Sequence, residues 1–161
     1  MRYVIISPVK NEEQFIEFTL QSVISQTIIP VKWFIINDNS TDNTEEIVSK
    51  YSQNYSWIKL ITLTNFEPVL KSTGARSAAL MNYARALINF DVEFIVKIDT
   101  DISFVKDFFE NIFNKMLSNL NLGLASGHLI QDGIIEKISD RKNIRGAVRV
   151  YKKECFDRIG K

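Results

Sequence analysis

The chain has 161 residues, of which 45% are hydrophobic and 24% are charged, and its formal net charge is +1. These values are typical of one globular domain with enough apolar material for a core. A charge so close to neutral excludes a broad basic surface, so we expect no nucleic acid partner. The single Cys155 excludes an internal disulfide, and the single His128 excludes a histidine-rich zinc site.

The chain offers no candidate for a membrane span. No apolar run approaches the roughly 20 residues that a membrane helix needs, and the first residues lack the layout of a signal peptide. We therefore expect no transmembrane segment in this chain and a cytoplasmic location, with peripheral attachment to a membrane left open. No linker is visible, so residues 1–161 are expected to form a single domain.

Strands and helices are predicted to alternate. Apolar runs rich in β-branched residues predict strands at Tyr3–Ile6, Val31–Ile36, Trp57–Leu63 and Phe94–Asp99. Helices are predicted at about residues 12–27, 42–51, 74–87 and 108–117, further strands at about 123–130 and 146–151, a last helix from about 154, and a polar loop at 64–73. This order predicts an α/β fold with a mostly parallel sheet and helices on both faces.

The first helix has a candidate start signal. Asn11 is placed to cap it, with Gln14 at the capping-box position. Apolar spacing predicts one inward stripe from Ile16 to Thr27 and another, in the helix after the fourth strand, from Phe108 to Leu117.

Two carboxylates lie at the end of the fourth predicted strand. Asp99 and Asp101 are two residues apart, so in an extended chain they point the same way. They lie at the carboxyl end of a strand, where open α/β sheets place their ligands. Two converging carboxylates suit Mg²⁺ or Mn²⁺, which usually keeps waters and substrate phosphates as further ligands. The alternative is an Asp-Thr-Asp that only ends the strand and caps the next helix.

The sequence lacks the residues that define several common nucleotide-binding and catalytic sites. The first turn, Ser7–Glu13, has no glycine, although a dinucleotide-binding turn needs glycines to approach the pyrophosphate. The phosphate-binding sequence G-x-x-x-x-G-K-[S/T] does not occur. A Ser-His-Asp triad would depend on His128, which lies in a predicted apolar strand and is interpreted as structural.

A nucleotide site built from carboxylates remains. Asp38 follows the second strand, and in a parallel sheet it emerges at the same edge as Asp99 and Asp101. Its carboxylate can accept a hydrogen bond from the ring N–H of a pyrimidine. This arrangement suits a nucleotide-sugar, with the base near Asp38, the ribose near Asp99 and the diphosphate on a metal at Asp101. Arg76 offers a planar charged group for phosphate or base.

Four motifs occur together in one order. They are Pro8-Val-Lys-Asn-Glu-Glu13, Ser22-Val-Ile-Ser-Gln-Thr27, Ile36-Asn-Asp-Asn-Ser-Thr-Asp-Asn-Thr44 and Asp99-Thr-Asp101. With this order and spacing the chain resembles the inverting glycosyltransferases of family 2, which have the GT-A fold. The resemblance runs from Tyr3 to at least Asp107 and resumes over Arg145–Gly160.

The resemblance implies roles for seven residues. Pro8, Asn11 and Glu12 line the pocket for base and ribose. Asp38 holds the base, and Arg76 contacts the nucleotide. Asp99 approaches ribose or metal, and Asp101 is the principal metal ligand. Structural alternatives stay open: Asn11 as a helix cap, Pro8 as a strand end, Arg76 as a solvated helix residue. Asp42 is interpreted as a cap rather than a ligand.

The chain departs from the family pattern in three respects. Asn37 stands where the family often has a second aspartate, and Ser77 stands where asparagine frequently follows the arginine. The family's general base lies well beyond Arg145–Gly160, and no residue here matches it. We therefore expect the donor-binding part of a longer protein, lacking the acceptor region and incomplete for catalysis.

The resemblance implies a metal-dependent enzyme of polysaccharide biosynthesis. It would transfer a sugar, with inversion, from a nucleotide-diphosphate-sugar to a hydroxyl of a carbohydrate or lipid-linked acceptor. A UDP-sugar donor with Mn²⁺ or Mg²⁺ is favoured. One alternative is a non-catalytic nucleotide-sugar-binding domain. A sugar-phosphate nucleotidyltransferase is disfavoured, because only Lys10 is available after the first strand to hold a triphosphate.

Overall fold

The protein is described by a computed structural model that covers residues 1–64, 75–128, 130–131, 134–135 and 146–159. The strands are β1 (Tyr3–Val9), β2 (Lys32–Asn37), β3 (Ile58–Thr62), β4 (Phe94–Ile98), β5 (Leu124–Ala125), β6 (Ile130–Gln131), β7 (Ile134–Ile135) and β8 (Val148–Lys152). The helices are α1 (Ile16–Ile24), α2 (Thr44–Asn54), α3 (Ala75–Ala86), α4 (Phe108–Ser118) and α5 (Lys153–Ile159). Residues 65–73 of the predicted loop, together with Gly74, Arg145 and Gly160, lie outside the described residues.

Six strands form the main sheet, in the order β3-β2-β1-β4-β8-β5. The pairs β1–β2, β2–β3 and β1–β4 are parallel. Strand β8 runs antiparallel to both of its neighbours, β4 and β5. The mostly parallel sheet predicted from the sequence is therefore confirmed.

Helices cover both faces of this sheet. Side chains of successive strand residues alternate between the faces, and in β1 Tyr3 and Ile5 belong to one buried cluster while Val4 and Ile6 belong to the other. The first cluster packs against apolar residues of α1, α2 and α4. The second packs against Leu80 of α3 and Phe156 of α5. No helix in the described ranges is long and apolar enough to span a membrane.

The direction in which successive strands are added to the sheet reverses at β1. Strands β2 and β3 extend from one side of β1, whereas β4 lies on the other side. The ladder between β1 and β4 ends at the pair Ile6–Lys97, while the ladder to β2 continues to the pair Val9–Asn37. Parallel α/β sheets bind ligands at such a switch point, outside the carboxyl ends of the strands. The fold therefore places a crevice between the ends of β1 and β4.

Two predicted elements have different bounds in the structure. Strand β1 does not end at Ile6 but continues through Pro8 to Val9. The strand predicted at 123–130 is reduced to Leu124–Ala125, and Ile130–Gln131 pairs separately with β7. The predicted strand position of His128 was wrong, because this residue is exposed and lies outside β5 and β6.

Three residues of the predicted helices are also placed differently. Helix α1 begins at Ile16, because the backbone first forms a turn in which the N–H groups of Phe15 and Ile16 both bond to the Glu12 carbonyl. Asn11 makes no cap. Thr27 lies beyond the end of α1 and is exposed, and Leu117 on α4 is exposed too.

Candidate functional site

The loops after β1 and β2 are joined by hydrogen bonds. The Asn11 amide donates to Ser40 Oγ (3.0 Å), and the Thr41 amide donates to Asn11 Oδ1 (2.8 Å). The Glu12 amide donates to Thr44 Oγ1 (2.8 Å). Asn11 adopts a φ of 55°, a left-handed conformation that asparagine tolerates better than most residues. The role of Asn11 that the structure supports is to hold these two loops together.

Acidic side chains complete this junction. Glu13 Oε2 accepts the Asn43 amide (2.9 Å), and Asp42 Oδ2 accepts the Glu13 amide (3.1 Å). Asp42 Oδ1 also accepts the amide of Thr44, the first residue of α2 (3.0 Å). Asp42 is thus used at the start of a helix, in agreement with its interpretation as a cap.

The departure at Asn37 has a structural explanation. The Asn37 side chain is fully buried, and its Nδ2 donates to Glu45 Oε2 (2.7 Å) while its Oδ1 accepts the Ser40 amide (3.0 Å). An ionised aspartate at this position would supply no donor for the Glu45 carboxylate. Asn37 therefore shapes the loop that carries Asp38.

Asp38 and Arg76 are brought together across 38 residues of sequence. Arg76 Nε and Nη2 contact the two carboxylate oxygens of Asp38 in a bidentate pair. The Asp38 side chain is 6% exposed and that of Arg76 is 42% exposed. Because Asp38 is almost buried, the guanidinium fixes the orientation of its carboxylate. The Asp38 amide donates to the Val9 carbonyl (2.9 Å), which places Asp38 at the end of β1.

The carboxylates after β4 and Glu12 after β1 lie at the same end of the sheet, because the two strands are parallel. Burial raises the pKa of Glu12, and the negative charges of Asp101, Asp99 and Asp42 raise it further. This effect means that Glu12 and the Asp-Thr-Asp segment lie within electrostatic range of each other. Asp101 is exposed, whereas Asp99 is in an ion pair with Lys97. The predicted site residues from β1, β2 and β4 therefore share one edge of the sheet.

Helix α1 holds the segment that contains Asp101. The buried Thr19 hydroxyl donates toward the carbonyl oxygens of Thr100 (2.8 Å) and Ile102 (2.7 Å). Gln26 Nε2 donates to the Val105 carbonyl (2.8 Å), and its Oε1 accepts an amide at the start of α4 (3.3 Å). Gln26, just beyond the end of α1, is therefore a second support for the segment between Asp101 and α4.

The side chains at this site supply only some of the ligands that a metal ion needs. Among the residues with described positions, no group of three or more His, Cys, Asp or Glu side chains could hold one. Mg²⁺, however, is commonly bound by one or two carboxylates together with substrate phosphates and waters. The exposed carboxylate of Asp101 suits a metal whose other ligands come from a diphosphate.

A cavity of about 380 Å³ continues from Asp101 toward α4 and β8. Its walls are mainly apolar, and they include the rings of Phe104 and Phe108 and the side chain of His128. A Cβ atom on Gly127 would lie 2.5 Å from Cε2 of Phe108, so this position requires glycine for the ring to occupy its place. His128 was expected to be structural, but it lines the cavity next to Asp101.

Sequence reasoning missed the roles of Thr19 and Lys97. Thr19 occupies an inward position of a helix, and that was the available signal, because a hydroxyl buried among apolar residues needs a partner. Lys97 interrupts an apolar strand two residues before Asp99, a spacing that puts both side chains on one face. Neither pattern identifies the partner by itself.

Comparisons with known proteins identify the family of this chain. Residues 4–153 match the family model of Glycosyl transferase family 2, and the chain belongs to that family. Glycosyltransferase GlyA of Streptococcus pneumoniae is 26% identical over 153 residues, covering 87% of this chain and 20% of that protein. Uncharacterized glycosyltransferase MG025 of Mycoplasma genitalium is 30% identical over 112 residues, covering 68% of this chain and 35% of that protein. The chain thus spans only a minor part of the length of these relatives.

Solved structures show the same fold. The mannosyltransferase PcManGT from Pyrobaculum calidifontis, in complex with GDP-Man and Mn²⁺, has a TM-score of 0.70 at 20% identity, covering 99% of this chain and 46% of that one. TarS 1-349 from S. aureus, in complex with UDP-GlcNAc, has a TM-score of 0.63 at 19% identity, covering 94% of this chain and 45% of that one. At these identities the likeness establishes the architecture.

Proposed function

We propose that this chain is the donor-binding part of a metal-dependent glycosyltransferase that uses a UDP-sugar and transfers the sugar with inversion. The observation that carries the proposal is the gathering of Glu12, Asp38, Asp99 and Asp101 at one edge of the sheet. Relatives in the same family are named as glycosyltransferases. The GDP-Man, Mn²⁺ and UDP-GlcNAc in the two solved neighbours support this class of ligand.

Each group of the donor has a candidate partner in this arrangement. The end of β1 and the loop after it, with Pro8, Asn11 and Glu12, border the base and the ribose. Asp38, oriented by Arg76, accepts the N–H of the pyrimidine ring, and this hydrogen bond favours uracil over cytosine, whose N3 carries no hydrogen. Asp99 meets the ribose.

Asp101 would hold Mn²⁺ or Mg²⁺, and the bound ion would supply positive charge to the departing diphosphate. The acceptor, a carbohydrate or a lipid-linked hydroxyl, then attacks from the side opposite the diphosphate. We assign no residue of this chain as the base that removes its proton. The single Cys155 is in keeping with a reducing compartment, so we place the protein in the cytoplasm or at its membrane surface.

Titration calorimetry with UDP and with GDP, each with and without Mn²⁺, tests the proposal. We expect UDP to bind more tightly than GDP, and Mn²⁺ to strengthen UDP binding. Asp101→Asn should abolish the Mn²⁺-dependent part of the UDP affinity, because a neutral amide replaces the charged carboxylate ligand. Asp91→Asn is the matched control, since Asp91 is exposed just before β4, at the opposite edge of the sheet. Unchanged Mn²⁺-dependent affinity in Asp101→Asn would remove the metal assignment.

A further inference from the structure

Lys97 is a nearly buried cation next to the proposed metal site. Its side chain is only 12% exposed, and in the sheet it pairs with Ile6 on one side and Arg149 on the other. A buried ammonium group requires charged or polar partners. Lys97 Nζ contacts Asp99 Oδ1 and donates to the Gly146 carbonyl (2.7 Å). The charge of Lys97 is therefore directed at one of the two aspartates.

Asp99 is held from two sides at the start of β8. Its amide donates to the Ala147 carbonyl (2.8 Å), while its carboxylate contacts Lys97, which is itself bonded to Gly146. Lys97 and Asp99 are two residues apart and share a face of the sheet. Both residues are thus tied to the same short segment, and the orientation of the Asp99 carboxylate is set before any ligand binds.

We propose that Lys97 is a positioning residue that keeps Asp99 away from the metal, so that Asp101 carries the metal and Asp99 is reserved for the ribose. This inference rests on the proposed function. An ammonium on Asp99 repels a divalent cation at the same carboxylate. It also offsets part of the negative charge of Glu12, Asp99 and Asp101, which would otherwise oppose the approach of a diphosphate.

Calorimetry on Lys97→Met tests the assignment through two affinities that should move in opposite directions. Without the ammonium, Asp99 becomes available to the cation, so Mn²⁺ should bind the UDP-saturated variant roughly tenfold more tightly. UDP without metal should bind roughly threefold more weakly, because a positive charge is lost near the diphosphate. A purely structural role would weaken both. Lys59→Met on β3 is the matched control, since Lys59 is an exposed strand lysine, and it should leave both values unchanged.

Asp99 variants supply the second measurement and do not depend on the folding of Lys97→Met. Asp99→Asn alone should lower Mn²⁺ affinity by roughly tenfold, the lower end of what loss of an outer partner costs, whereas Asp101→Asn should lose far more. Adding Asp99→Asn to Lys97→Met should cancel the gain in Mn²⁺ affinity. Equal losses of Mn²⁺ affinity in Asp99→Asn and Asp101→Asn would overturn this inference but not the proposed function. A parallel loss of Mn²⁺ and UDP affinity in Lys97→Met would do the same. Absence of Mn²⁺-dependent UDP binding in the native chain would instead overturn the proposed function, and this inference with it.

Discussion

The ionisation of Glu12 makes the stability of the fold depend on pH. Its pKa is raised by burial and by the charges of Asp101, Asp99 and Asp42. The folded-state pKa of Glu12 is therefore above its unfolded value. The stability that protonated Glu12 contributes is fully present below the usual glutamate pKa of about 4.3. It is lost as the pH rises through the higher pKa that Glu12 has in the folded protein.

Glu12→Gln removes this titration with little change in shape. We expect the variant to gain stability relative to the native chain as the pH rises from about 4 to about 7. Urea denaturation at several pH values measures the difference in unfolding free energy. Glu154→Gln, at an exposed position of α5, is the control. A difference that stays flat with pH, or that favours the native chain at higher pH, would contradict the account of this charge cluster.

Arg76 acts on the nucleotide through the orientation of Asp38. Arg76→Lys keeps the positive charge but loses the planar group that contacts both carboxylate oxygens. We expect UDP affinity to fall roughly tenfold, the effect of losing one hydrogen bond to a charged group. Arg85→Lys is the control on the same helix, because Arg85 instead lies over the Phe156 ring and donates to the Asp157 carbonyl. Equal affinities in the two variants would argue against the role of Arg76.

At the scale of elements, α1 supports the metal-binding segment as well as the core. Thr19 lies on the buried face of α1, and its hydroxyl is within hydrogen-bond distance of the Thr100 and Ile102 carbonyl oxygens, on either side of Asp101. Thr19→Val preserves the shape but leaves those carbonyls without this donor, in a region where Thr100 is also buried. The expected cost is about 1–3 kcal/mol of unfolding free energy.

The same substitution should weaken Mn²⁺-dependent UDP binding severalfold, since the segment carrying Asp101 loses a support. Urea denaturation and calorimetry on one preparation give both values. Thr62→Val on β3 is the control, because Thr62 is exposed. Loss of stability with unaffected Mn²⁺ dependence would show that Thr19 serves the core alone.

Elements with strong apolar runs could be predicted from the sequence. Strands β2 and β4 follow such runs, and their burial confirms the pattern. The strand predicted at 123–130 is short because the Ser126 hydroxyl bonds to the Val148 carbonyl (2.7 Å), and Gly127 then packs under Phe108. Local apolar content does not reveal such a side-chain bond, because it depends on a strand 22 residues away.

At the scale of the whole molecule, sheet topology explains why the predicted residues share one edge. Parallel strands direct their carboxyl ends the same way, so Asp38 and Asp99 could be placed together from the sequence. Their partners could not, since the pairing of Asp38 with Arg76 depends on how α3 packs over the sheet. The ion pair of Asp99 with Lys97 is local, yet the sequence does not reveal that β8 fixes it through the Gly146 carbonyl.

The central claim is that the edge formed by the ends of β1, β2 and β4 binds a uridine diphosphate and a metal ion. Anomalous diffraction from crystals grown with UDP and Mn²⁺ tests it directly. The account predicts a manganese peak within coordination distance of an Asp101 carboxylate oxygen, with the uracil ring hydrogen-bonded to Asp38. Nucleotide bound elsewhere on the molecule, or a manganese peak remote from Asp101, would contradict it.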